Sequence, residues 1–348
     1  MSDMSDQRLL PPLRFQPILK YRAWGGDRLA GLRKNLPSET VIGESWELSD
    51  LPSSIPEGQS IVAEGPMAGT AMHELMSDWR PAVLGQAATS AEGRFPLLIK
   101  FLDANENLSV QVHPSAAYAA EHEEAMVKSE WWFVIEARPE ACVYRGIKPE
   151  VTPEQFRTSL EDGTALDHLI RIPVRAGECI RLPSGTCHAM GEGIVAAEVQ
   201  TTSDTTYRVW DWNRNDPDRP LHVEQAMACM HFGQSTDQFG KPVFHLDDVV
   251  PVETEGVTTR RVCTAAEFTV DHQTFTDRPH QIHPNGRPLI HICLEGAGTL
   301  ESPEGSSRLQ KGDVALVPAN GPVTTLDPGG RLVTLRVEFP AQTGTLLA

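Results

Sequence analysis

Apolar residues in this chain fall in short runs, and many of the runs alternate with polar positions. The stretches 97–102, 132–135, 194–199, 289–294 and 314–317 read as β-strands on that pattern. Turn sequences punctuate them: Pro303-Glu304-Gly305, Lys311-Gly312-Asp313 and Pro328-Gly329-Gly330. Short strands at close spacing with Gly- and Pro-rich turns predict a β-sandwich or jelly roll. Helical pattern is scarcer, at 70–79, 115–125, 152–160 and 164–170. The third of these opens Thr-Pro-Glu-Gln, with Thr152 able to cap and proline at the first helical position. All four helices interrupt the strands between about 70 and 170, so the N-terminal half is a β-core carrying helical insertions.

A weak internal repeat refines this picture. Gly177, Pro183, Gly185 and His188 match the GxxxxxPxGxxH signature of cupin domains. Gly312 and Pro318 begin the same way, but Asn320 replaces the second glycine and Val323 stands where the histidine belongs. Similar strands precede the two copies, Phe133-Val134-Ile135-Glu136-Ala137 and Ile292-Cys293-Leu294-Glu295-Gly296. The predicted fold class is therefore mainly β, with two cupin-type jelly-roll domains. Residues 1–240 form the metal-binding domain and 241–348 a domain without metal ligands, with the boundary near 235–250.

The chain has 348 residues and a formal net charge of −17, which argues against a nucleic-acid partner but leaves room for a local basic pocket. Its six cysteines are scattered with no CxxC pair, as expected of reduced thiols in a cytoplasmic protein. Met1 to Gln7 is polar and acidic, unlike a signal peptide, and no apolar run approaches the ~20 residues of a membrane span.

The candidate chemistry lies in three separated segments. If 108–113 is a strand, Leu108, Val110 and Val112 face apolar packing, while Ser109, Gln111 and His113 face the other way. Buried polar side chains cost about 1–3 kcal/mol each without partners, and a metal supplies them. Lys128 and Glu130 share a face by the same spacing, and His188 follows a Pro-x-Gly turn that returns it over the barrel mouth. Two imidazoles, a carboxylate and the amide oxygen of Gln111 make a mixed N/O set suited to a borderline divalent ion, zinc first. The other ten histidines lack this context; His280 and His283, near Pro and Asn, read as surface loop residues.

At these residues the chain resembles class I mannose-6-phosphate isomerase (phosphomannose isomerase) in its short bacterial form, from about Pro17 to Gly233 and more weakly beyond. The segments that carry the likeness are 95–104, 108–114, 128–132, 183–193 and 198–212, in the family's order. The resemblance implies zinc, one per chain, on Gln111, His113, Glu130 and His188. It places the active-site arginine at Arg208, a lysine at Lys128 and a glutamate at Glu198, with Lys100 and Ser109 near the substrate phosphate. The implied reaction interconverts mannose 6-phosphate and fructose 6-phosphate through a cis-enediol, with Glu198 or Lys128 as proton carrier. Ser115-Ala116 and Thr201-Thr202 depart from the usual family residues without touching a ligand position. The competing readings are a non-catalytic sugar-phosphate sensor and an iron oxygenase. No ligand, Arg208 or Lys128 is lost as the first would require, and Gln111 with the Arg208 motif opposes the second. The expected partner is a small sugar phosphate, with no nucleic acid or membrane, and the expected assembly a monomer or weak homo-oligomer.

Overall fold

The computed structural model describes residues 9–38, 40–214, 216–217, 219–233 and 241–340. Met1 to Gln7 and part of the expected 235–250 boundary lie outside them.

All five strands predicted from alternation are present, as Leu97–Ala104, Glu130–Ala137, Ile194–Thr201, Leu289–Glu295 and Val314–Val317. Period-2 patterning sorts their side chains cleanly. Ile99 and Phe101, Trp131 and Phe133, Val195 and Ala197 all enter one apolar core. Their neighbours Leu102, Trp132, Val134, Ile194 and Ala196 enter another on the opposite face of the same sheet.

That sheet has seven antiparallel strands in the order Ile18–Gly26, Ile42–Leu48, Leu97–Ala104, Ile194–Thr201, Glu130–Ala137, Glu178–Leu182 and Val243–His245. It packs on a five-stranded sheet ordered Tyr207–Trp210, Val110–Val112, His188–Met190, Cys142–Ile147 and Leu169–Pro173. A second sandwich pairs another seven-stranded sheet, containing Leu289–Glu295 and Leu332–Glu338, with a four-stranded one, containing Ala297–Ser302 and Thr324–Asp327. The two large sheets bury a common core between them, joining Phe101, Trp131 and Val199 to Val270, Ile290 and Val337. Each such side chain withdrawn from water contributes about 1.5–3 kcal/mol. Leu13–Arg14, near the start of the chain, pairs with Val314–Val317 and ties the N-terminal segment into the later sheet.

Helices cover the outer face of the five-stranded sheet. Phe156 of Pro153–Asp162 and Ala226 of Val223–Cys229 pack on Val110 and Val112. Pro153–Asp162 starts as its sequence predicts: Thr152 Oγ1 accepts from the Gln155 N–H at 3.2 Å, and the Gln155 side chain accepts from the Thr152 N–H at 2.9 Å. The stretch expected at 70–79 forms Met72–Asp78, and 164–170 shortens to the 3₁₀ turn Ala165–His168. The helix expected over 115–125 is a single turn, Ala116–Ala119. Its Ser115 cap is correct, but Glu121-His122-Glu123-Glu124 would place negative charge at the helix C-terminus, where the helix dipole opposes it. No helix among the described residues is long and apolar enough to cross a membrane.

Candidate active site

The open end of the first sandwich encloses a cavity of about 480 Å³. Its walls come from both sheets, and backbone register decides which side chains share it. On the large sheet Glu198 pairs with Lys100 on one side and Trp132 on the other. On the small sheet Gln111 lies directly between His188 and Arg208. Opposed residues project on the same face of a sheet, so these groups converge although they come from positions 100 to 208.

His188 stands where it does because of the turn before it. Gly185 has φ +79°, a conformation that side chains strain to adopt, and a Cβ there would lie 2.5 Å from the His231 ring. The turn delivers His188 to the sheet with only 1% of its surface exposed.

His113, Glu130 and His188 are all buried, and each offers one ligand atom such that the three atoms lie within 4.8 Å of one another. His113 Nε2 is 2.9 Å from one Glu130 oxygen and His188 Nε2 is 3.5 Å from the other. Both rings are oriented by their far nitrogens: His113 Nδ1 is 3.1 Å from the Thr205 carbonyl oxygen, and His188 Nδ1 is 2.8 Å from that of Thr186. A carbonyl accepts, so Nδ1 carries the proton and the Nε2 lone pair faces inward, which is how metal-ligating histidines are held. His113 Nε2 and Glu130 Oε2 are buried and make no hydrogen bond. Two inward-facing imidazole nitrogens and a carboxylate, with the His113 nitrogen and one Glu130 oxygen unpartnered, are the donor set a divalent ion satisfies.

Gln111 adjoins this group. Its Nε2 is 3.3 Å from His188 Nε2, while its oxygen accepts from Ser109 Oγ at 3.5 Å. Half a turn of the amide brings the oxygen to the histidines, where the sequence expectation requires it. The expectation fails for Leu108. The strand begins only at Val110, and Leu108 turns inward to line the cavity and join the inner core rather than sharing a face with Val110 and Val112.

Electrostatics holds the cluster in a ligand-ready state. Burial pulls the His113 pKa down to about 4, helped by the Lys128 ammonium against the opposing pull of Glu130, so the ring is neutral. Burial works against an ionised Glu130, yet Lys128 and the two histidines hold its carboxyl well below the ordinary range. Lys128 Nζ lies 2.6 Å from Glu130 Oε1. Glu198 is the contrast: burial, with the neighbouring Glu130 charge, pushes its carboxyl up to about 8 against Lys100 and Lys128. Lys100 Nζ sits 3.8 Å from both Glu198 and Glu44.

Arg208 lines the cavity and forms no ion pair among the described residues. Asp211, the neighbour best placed in sequence to neutralise it, is taken by Arg214 at 2.9 Å and Arg219 at 3.0 Å. One Arg208 terminal nitrogen donates to the Pro220 carbonyl at 3.0 Å, and its Nε–H is buried without a partner.

The cavity thus gathers Lys100, Ser109, Gln111, Lys128, Glu130, Glu198 and Arg208 in its lining, with His113 and His188 beneath it. Sequence reasoning passed over Arg22, Glu44, Arg219 and His222, which also line it. Glu44 had a signal: it is a charge on the inward face of the alternating run Ile42–Leu48. Burial opposes its ionisation, but Lys100 and Arg22 together bring its carboxyl down to about 2. The departures at Ser115 and Thr201-Thr202 serve local structure. Ser115 caps the short helix, Thr201 Oγ1 accepts from the Ser129 N–H, and Thr202 Oγ1 donates to the Phe95 carbonyl.

Comparison with known proteins shows the family of this chain. Residues 13–141 match the family model for the catalytic domain of type I phosphomannose isomerase. A mannose-6-phosphate isomerase of Streptococcus mutans is 36% identical over 315 residues, covering 88% of this chain and 92% of that protein. The mannose-6-phosphate isomerase ManA of Bacillus subtilis is 34% identical over 312 residues, 88% of this chain and 93% of its own. The crystal structure of a mannose 6-phosphate isomerase from Bacillus subtilis superposes with a TM-score of 0.82 at 29% identity, covering 95% of this chain and all of that one. By the identity and span of these matches, the chain belongs to the type I phosphomannose isomerase family.

Proposed function

We propose that the protein is a zinc-dependent aldose–ketose isomerase interconverting mannose 6-phosphate and fructose 6-phosphate through a cis-enediol. The observation that carries this reading is the buried His113–Glu130–His188 cluster beside a cavity lined by Arg208, which has no ion pair among the described residues. Gln111, His113, Glu130 and His188 would hold the ion. Once bound, zinc would supply Lewis acidity toward the sugar oxygens and two positive charges to a lining that holds five basic and five acidic side chains.

The chain's own residues do the rest. Glu198 is 3% exposed and lines the cavity, placed to carry the proton between C2 and C1. Lys128 is committed to Glu130 at 2.6 Å and acts as a fixed cation beside the ligand carboxylate. The Arg208 guanidinium faces the charge that develops on the sugar oxygen, and its unpartnered Nε–H leaves a donor for it. Lys100 and Ser109 grip the phosphate. Residues 1–240 form the catalytic unit and 241–348 the second. Sheet membership supports that division, the Leu13–Arg14 and Val243–His245 strands excepted. Six free, buried cysteines suit a reducing cytoplasm.

The test is an isomerase assay on mannose 6-phosphate with and without a chelator, followed by metal add-back. Turnover is lost on chelation and restored by zinc. Metal-replete protein that binds the sugar phosphate without turnover would leave the sensor reading in its place.

A further inference from the structure

The second sandwich has a cavity of its own, about 470 Å³, where strand Leu289–Glu295 begins and Leu332–Glu338 ends. Its inner wall is unusually polar for the core face of a sheet. Gln273, His291 and Arg336 project into it from three adjacent strands, and His280 faces them from the small sheet. Gln273 is 5% and His291 1% exposed, so water outside the cavity does not serve them.

Each of these four residues carries a buried polar atom without a partner: Gln273 Oε1, His280 Nε2, His291 Nε2 and Arg336 Nε. The rest of the Gln273, His291 and Arg336 side chains is fixed. Gln273 Nε2 donates to Thr259 Oγ1 at 3.3 Å, and His291 Nδ1 is 3.5 Å from Thr334 Oγ1. Arg336 Nη2 is held at 2.8 Å by Asp271 and 2.7 Å by Glu338. Buried polar groups in folded proteins are rarely left unmatched, and four around one cavity point to a ligand that matches them.

The chemistry of that ligand follows from the lining. Among the described residues, only His113, Glu130 and His188 come close enough to share an ion, so this is not a second metal site. Arg336 is paired with Asp271 and Glu338, and the other charged residues of the lining, Arg287 and Glu255, are one of each sign, so the lining has no net charge to draw an anion. Its unpartnered buried atoms are an amide oxygen that accepts, an N–H that donates and two imidazole nitrogens, beside the apolar surface of Phe275 and Phe339. Hydroxyl groups both donate and accept, and a ring of C–H bonds covers an aromatic face. We propose that this cavity binds an uncharged polyhydroxylated small molecule of monosaccharide size, held by Gln273, His280, His291 and Arg336.

The experiment is calorimetry and crystal soaking of the full, metal-loaded chain with D-glucose, D-mannose, D-fructose and myo-inositol, with inorganic phosphate as contrast. At least one polyol binds, with density against Gln273 and His291. Affinity weakens at least about tenfold in Gln273→Leu and in His280→Leu, the loss expected of one buried hydrogen bond. Binding persists in Arg208→Ala, which alters only the first cavity. His280 is at the rim, so its variant keeps the test alive if Gln273→Leu fails to fold. The proposal is overturned if the cavity holds only water, if none of the four binds at about 10 mM, if phosphate takes this cavity in place of the polyols in the soaked crystal, or if both variants bind like wild type.

Discussion

Replacing Glu198 by glutamine tests the proton-carrier assignment with little structural disturbance. Glutamine has the same shape, and Glu198 is no member of the ligand cluster, so one metal per chain is retained. Lys100 loses one carboxylate neighbour at 3.8 Å but keeps Glu44 at the same distance. Positioned general acid–base groups contribute roughly 10²–10⁴ in rate, and kcat for the variant falls by that factor with KM nearly constant. Stability moves in the opposite direction. Burial and the Glu130 charge raise the Glu198 pKa from 4.5 to about 8, so folding must bring a proton onto a group ionised in the unfolded chain. A raised carboxyl gives stability that grows as pH falls from about 8 toward 4.5, and at pH 7 the metal-free protein bears a cost of about 3 kcal/mol. Glutamine has no such cost, so the chelated variant unfolds at higher urea than chelated wild type. Stopped assays, metal analysis and urea titrations read all three quantities. A kcat within about threefold of wild type, with metal intact, would refute the assignment and move the proton to Lys128.

His188→Ala and Glu130→Gln each lower bound metal well below one per chain, measured by elemental analysis; full occupancy in both would mean the ligands are misassigned. Lys34→Met destabilises by about 3–5 kcal/mol, because Glu47 is left buried after losing Lys34 at 2.8 Å; adding Glu47→Met recovers most of it in the same unfolding titration. Burial and the Arg336 charge lower the His291 pKa from 6.5 to about 3. A depressed histidine loses stability as pH falls below 6.5, by about 2 kcal/mol at pH 5, and His291→Gln flattens that part of the pH–stability curve. Thr152→Ala removes the helix cap and costs about 1 kcal/mol by unfolding titration.

What the sequence made legible follows the range of the forces involved. The strands 97–102, 132–135 and 194–199 could be read because each has an apolar face on both sides of one sheet, and alternation records that locally. The candidate metal ligands Gln111, His113 and Glu130 could be read because each sits two residues from another polar position on its own segment, and His188 because a Pro-x-Gly turn precedes it. Short helices were less legible. Val223–Cys229 was missed, since it buries only Ala226 and Cys229 along seven residues. Arg22 and Glu44 were missed because their place at the cavity depends on strand register. Ile18–Gly26 and Ile42–Leu48 reach the site only by stacking outward from Leu97–Ala104, and nothing within either segment announces that order. Leu108 shows the limit from the other side, where alternation was extended two residues past the start of the strand.

The two sandwiches explain each other through one turn. In the first, the glycine at 185 allows a left-handed corner pressed against His231, and the chain re-enters the sheet three residues later with His188 buried. In the second, Asn320 occupies the matching place, and Val323, where the histidine would be, is 44% exposed. Val323 thus faces solvent, and strand pairing resumes at Thr324–Asp327. Restoring the histidine alone would therefore not restore a metal site, because its side chain would start from backbone that faces solvent. The strand equivalence also places His291 where the first sandwich has Trp132, a cavity-lining residue in contact with His188 at 5.5 Å between ring centroids. Loss of the returning turn removes one ligand and frees the end of the second barrel from the geometry an ion demands. Gln273, His291 and Arg336 then line a cavity of similar volume with groups that are neutral or paired within the chain, which is not a donor set for a metal.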